Sequence, residues 1–92
     1  MPSISLIINH SSGLHARPAA EFVKTAIKFP CAITVRNVTD DKPAVNAKSI
    51  LGVLTLGVNQ GYKIEVSAEG ERAQEALTAI TDLVNSNFGE QP

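Results

Sequence analysis

The chain has 92 residues, a formal net charge of −1 and a 43% hydrophobic share. That length leaves room for one core and no second, so residues 1–92 read as a single domain. A balanced charge offers no attraction to nucleic acid or an anionic membrane, and no apolar run approaches the ~20 residues of a membrane span. One cysteine, Cys31, excludes an internal disulfide and fits a reducing compartment. Residues 1–10 lack the basic start and long apolar run of a signal peptide. The expectation is a cytoplasmic protein.

Ser3 to Ile8 alternates, with Ile4, Leu6 and Ile8 on one face, which predicts a strand. Asn9 to Gly13 is a polar loop ending in glycine. His10, inside it, reads as a solvated loop residue. From Ala16 to Lys28 the period becomes helical. Ala16, Ala19, Ala20, Val23, Ala26 and Ile27 make the apolar stripe, and Arg17, Glu21, Lys24 and Lys28 face away. Pro18 is tolerated only in the first turn, where a missing N–H costs nothing, so the helix must begin near Ala16.

Pro30 closes that helix. Ala32 to Val38 alternates again, Asp40-Asp41-Lys42-Pro43 is a turn cluster, and Ala44 to Asn46 returns as the second arm of a hairpin. Ser49 reads as an N-cap opening a short helix through Ile50, Leu51 and Leu54. Gly57 and Gly61 punctuate its exit. Tyr62 to Ala68 is the clearest strand, with Ile64, Val66 and Ala68 opposite Lys63, Glu65 and Ser67. Glu71 to Asn85 is the last helix, striped by Ala73, Ala76, Leu77, Ile80, Leu83 and Val84, with Glu71 in a first turn that favours negative charge. Gly89 and the end Glu90-Gln91-Pro92 read as frayed. The order βαββαβα, with one apolar face on every element, predicts an α+β two-layer sandwich. Four antiparallel strands would carry three helices on one face.

The chemistry concentrates in Ser12-Gly13-Leu14-His15-Ala16-Arg17-Pro18. The first N–H groups of a helix lack internal partners and carry partial positive charge. A phosphoryl group on an imidazole nitrogen of His15 would meet those donors. Arg17 adds a planar, permanently charged fork for phosphate oxygens. Gly13 can take a left-handed conformation and aim the ring outward, and Ser12 can orient the ring or touch a phosphate oxygen. Imidazole serves both as nucleophile and as leaving group, so phosphate can come on and go off. The helix end contributes about 0.3–1 kcal/mol, enough to orient a phosphoryl group without trapping it. On residue types alone, a histidine beside an arginine at a helix start is more often just a solvated loop.

Gly13-Leu14-His15-Ala16-Arg17-Pro18-Ala19-Ala20 resembles the active-site signature of HPr, the histidine-containing phosphocarrier family of the bacterial phosphoenolpyruvate-dependent sugar phosphotransferase system (PTS). Asn46-Ala47-Lys48-Ser49-Ile50-Leu51-Gly52-Val53-Leu54-Thr55-Leu56-Gly57 resembles that family's second signature. The resemblance spans nearly the whole chain; only the hairpin from Asn37 to Ala44 is slightly longer than in many relatives. It implies an open-faced β-sandwich and phosphorylation of His15 on Nδ1 by phospho-enzyme I. Arg17 would bind the phosphate, with Ser12 and Ala16 at the phosphate's side. Transfer would follow to the EIIA domains of sugar transporters. It also implies regulatory phosphorylation of Ser49 by an HPr kinase/phosphorylase, read out by a transcriptional regulator. The docking surface would comprise Arg17, Ala20, Lys24, Ile50, Leu51 and Leu54, with Lys28 at its margin. Such a carrier is a monomeric relay rather than an enzyme, and needs no metal or cofactor.

The alternatives differ in what they require. A purely regulatory module controlled at Ser49 would not need the His15-Ala16-Arg17 trio. An RNA binder would need a stacking platform, and Phe22, Phe29, Tyr62 and Phe88 do not alternate with basic residues on a strand. A nitrogen-regulatory branch of the same family shares the histidine chemistry and stays open. No Cys/His/carboxylate cluster has metal-ligand spacing and no glycine-rich nucleotide loop follows a strand. Asp40 and Asp41 read as turn residues.

Overall fold

The computed structural model describes residues 2–89, leaving aside the side chain of Ala16. The elements are β1 (Ser3–Ile7), α1 (Ala16–Ile27), β2 (Ala32–Asn37), β3 (Val45–Asn46), α2 (Ile50–Thr55), β4 (Lys63–Glu69) and α3 (Ala73–Asn85). A 3₁₀ turn over Asn87–Gly89 follows. The predicted Glu90-Gln91-Pro92 end lies outside the described residues.

The sheet has the order β1-β4-β2-β3, every neighbour antiparallel. Its register explains the two layers. Ile4 opposes Val66, Val66 opposes Val35 and Val35 opposes Val45, giving one apolar row across all four strands. One residue along each strand, Ser3, Ser67, Thr34 and Asn46 form a polar row. Successive side chains point to opposite faces of a strand, so the helices cover the first face and the second stays open. The architecture is the expected α+β open-faced sandwich. Its core joins Ile33, Val35, Ile64 and Val66 of the sheet to Phe22, Leu56, Leu77 and Ile80 behind it.

Local differences have local causes. The α1 stripe is Ala19, Phe22, Val23 and Ala26, all buried, whereas Ala20 is exposed and Ile27 is 59% exposed. Phe22, absent from the predicted stripe, completes the 3–4 spacing. The last helix begins at Ala73 rather than Glu71, because Gly70 (φ +114°) and Arg72 (φ +64°) adopt conformations that no helix contains. Glu71 therefore lies outside the first turn. Glu75 occupies that position and pairs with Arg72 Nη2 at 3.0 Å. The Arg72 guanidinium in turn lies over the Phe29 ring, 5.0 Å from its centroid.

The predicted chain end is not loose up to Gly89: Phe88 is buried, in a left-handed conformation (φ +59°). The hairpin loop is anchored on α2. Fully buried Asn37 donates from Nδ2 to the Leu56 carbonyl at 2.8 Å, and Lys42 Nζ reaches the same oxygen at 3.1 Å. No helix among the described residues is long and apolar enough to cross a membrane.

Candidate functional site

The corner between β1 and α1 is held from two sides. Ser12 N–H donates to His10 Nδ1 at 3.0 Å, and Gly13 N–H to the His10 carbonyl at 2.9 Å. Leu14 N–H donates to the Val58 carbonyl at 2.9 Å, while the Leu14 side chain is fully buried. Gly13 sits at φ +64°, the left-handed region that its lack of a Cβ makes inexpensive. His10 is not solvated: it is 8% exposed and packs edge-on against Phe88, with ring centroids 5.9 Å apart. The expectation failed because burial here comes from the chain's far end, which no local pattern reports. A histidine two residues before a serine and three before a glycine is the one sequence signal that could have suggested the turn.

His15 follows as the N-cap of α1, with extended backbone (φ −121°, ψ 164°) and a half-exposed ring. Its side chain makes no capping hydrogen bond. Ser, Asp or Asn at this position would normally occupy the first-turn amides. Here those amides are left for another acceptor. The first turn also holds no acidic residue, so nothing negative competes for the positive end of the helix. Arg17 is exposed and has no ion pair among the described residues. Pro18 is the third helical residue, within the first turn as its chemistry demands. Ser12 is exposed beside this corner, and Ala16 opens the helix. The arrangement can hold a tetrahedral anion against backbone N–H groups, a guanidinium and a ring nitrogen.

Arg17, Ala20, Lys24 and Ile27 recur at intervals of three and four and are all exposed. They run as one stripe along α1 away from His15. Ala20, Glu21, Val23, Lys24, Ile27 and Ile50 line a largely apolar groove between α1 and α2. Lys24 approaches Glu21 at 4.0 Å. On α2, Ile50, Leu51 and Leu54 are exposed, Leu51 by 73%, while Val53 and the C-cap residue Leu56 enter the core. Leu51, Leu54 and Lys28 do not line the groove. Ser49 caps α2, its Oγ accepting from Gly52 N–H at 3.1 Å. Its neighbour Lys48 ties this corner to the end of α1 through Nζ and the Phe29 carbonyl, 2.7 Å apart.

Residues 2–86 match the family model described as PTS HPr component phosphorylation site. The chain is 38% identical over 90 residues to phosphocarrier protein HPr of Pseudomonas aeruginosa, covering 98% of each. It is 43% identical over 83 residues to the multiphosphoryl transfer protein of Vibrio cholerae, covering 90% of this chain and 21% of that longer one. Its backbone matches the crystal structure of HPr-C-His from Thermoanaerobacter tengcongensis with a TM-score of 0.93 at 48% identity, both chains covered in full.

Proposed function

This chain belongs to the PTS HPr family, and from that premise we propose that it carries a phosphoryl group on His15. Nδ1 attacks the phosphorus presented by phospho-enzyme I; the N–P bond forms as the donor's bond to phosphorus breaks. The reverse displacement then delivers the group to an EIIA domain of a sugar transporter. Such transfer depends on positioning and charge stabilisation more than on covalent help from the protein. Arg17 and the open amides of α1 receive the phosphate oxygens, with Ser12 and Ala16 beside them. The carrier is a relay between enzymes rather than an enzyme.

The observation that carries this reading is the uncapped helix start. His15 occupies the N-cap without using the amides there. The exposed stripe of Arg17, Ala20 and Lys24 with Ile50, Leu51 and Leu54 supports a docking face with an apolar centre and a basic margin. Such a face suits acidic partners bound weakly and quickly. In this reading the chain is a monomeric, single-domain cytoplasmic carrier that meets two partners in turn on this face.

Ser49 is the regulatory position of this reading, modified by an HPr kinase/phosphorylase. A phosphate there would add about two negative charges next to Ile50 and Leu51 and repel acidic partners. The altered face could then be read by a transcriptional regulator.

Incubation with enzyme I and labelled phosphoenolpyruvate tests the proposal. Acid-labile label that disappears in His15→Ala is the expected result. Acid-stable label confined to Ser49, with His15 never modified, would overturn it.

A further inference from the structure

Among the described residues, two polar side chains are buried: Asn37, which anchors the hairpin loop, and His10, for which the relay has no use. We propose that His10 is a positioning residue, its ring acting as the clamp that sets the loop delivering His15. The inference rests on the carrier role of His15.

Three successive amides lead to His15, and each has a fixed acceptor. Ser12 N–H goes to His10 Nδ1 (3.0 Å), Gly13 N–H to the His10 carbonyl (2.9 Å) and Leu14 N–H to the Val58 carbonyl (2.9 Å). Two of those three acceptors belong to His10. The side-chain bond closes the same ring, from residue i to the amide of i+2, that Asn or Asp closes in an Asx turn. Histidine adds reach. Its ring extends to Phe88 in an edge-on contact, 5.9 Å between centroids and 80° between planes. Phe88 is itself buried and locked in a left-handed conformation. The loop is thereby fastened through one imidazole to the turn after α3. For Nδ1 to accept an amide proton it must carry none, so the ring holds the loop only as the tautomer with a bare Nδ1.

His15 is the residue after this clamped segment. Transfer to and from a ring nitrogen requires in-line approach, and a displacement of about 1 Å can cost on the order of 100-fold in rate. His10 therefore touches neither phosphate nor partner and acts through the Ser12–Leu14 backbone.

Two variants separate the acceptor from the ring. His10→Phe keeps the aromatic contact with Phe88 and removes the acceptor. His10→Asn removes the ring and keeps an acceptor for Ser12 N–H. Phosphorylation by enzyme I is measured on each, with amide shifts from NMR and melting curves. The expected result is a turnover rate reduced about tenfold or more in His10→Phe, with KM for the carrier unchanged because the docking face is intact. His10→Asn restores most of that rate while melting lower. The Ser12 amide resonance moves upfield in His10→Phe and returns in His10→Asn. An unmoved Ser12 amide, wild-type turnover in His10→Phe, or rates that merely follow the melting temperatures would overturn the proposal. An unlabelled wild-type chain would instead overturn the carrier role, a result distinct from any of these.

Discussion

The Gly13 α-carbon faces the Val58 carbonyl so closely that a Cβ built there would lie 2.1 Å from its oxygen. The contact is backbone against backbone, so neither side can rotate away. Left-handed conformation at the same residue (φ +64°) adds a second penalty for any other side chain. Gly13→Ala is expected to lose at least about 2 kcal/mol of stability, by the sum of strain and clash. It should also slow phosphoryl transfer at temperatures where it remains folded. Urea titration and a transfer assay on the same sample check both.

His15 contributes no capping hydrogen bond. His15→Ala should therefore leave stability within about 0.5 kcal/mol of the parent while abolishing acid-labile phosphorylation. Loss of a structural role would have shown the opposite pattern, a fall in both. Arg17, exposed and without an ion pair among the described residues, has little fold to support. Arg17→Ala should reduce transfer by about 1.5–3 kcal/mol of lost charge-assisted bonding, roughly ten- to hundredfold, at unchanged melting temperature. Arg17→Lys should recover part of it, since a point charge replaces the fork.

Ser49 carries a structural duty that its proposed modification leaves in place. Removing its Oγ in Ser49→Ala strips the acceptor of Gly52 N–H and should cost about 1 kcal/mol. Ser49→Asp can still cap, so its stability should stay near that of the parent. The added charge should nonetheless raise KM toward enzyme I if the docking partners are acidic. Denaturation curves and enzyme I kinetics on the two variants separate capping from charge.

Leu51 on α2 and Leu56 at its C-cap should respond in opposite ways. Leu56 is 1% exposed and lies in the core; Leu56→Ala should cost about 2–5 kcal/mol. Leu51 is 73% exposed, so Leu51→Ala should change stability by less than about 0.5 kcal/mol and instead weaken partner binding. Thermal melts and titration against enzyme I distinguish the pair. Unchanged binding in Leu51→Ala would remove that residue from the docking face.

Much of this arrangement was legible in the chain read alone. Alternation at Ile64, Val66 and Ala68 and the stripe from Ala73 to Val84 are periodic signals set by side-chain direction, and they survive in the structure. Pro18 placed the start of α1 within its first turn, near Ala16, because a ring in place of an N–H admits few positions. The two signatures around His15 and Ser49 carried the family. Three features required the folded chain. His10 is buried by Phe88, 78 positions distant along the chain. The first residue of α3 was decided by left-handed backbone at Arg72, a state that residue type does not announce. The apolar residues of α1 and α2 were divided between core and surface only when the helices met, which sent Phe22 and Val53 inward and left Ile27 and Leu51 outside. Periodicity and covalent restriction act within a few residues, so one sequence contains them. Burial is a property of which distant segments meet, and tertiary packing alone assigns it.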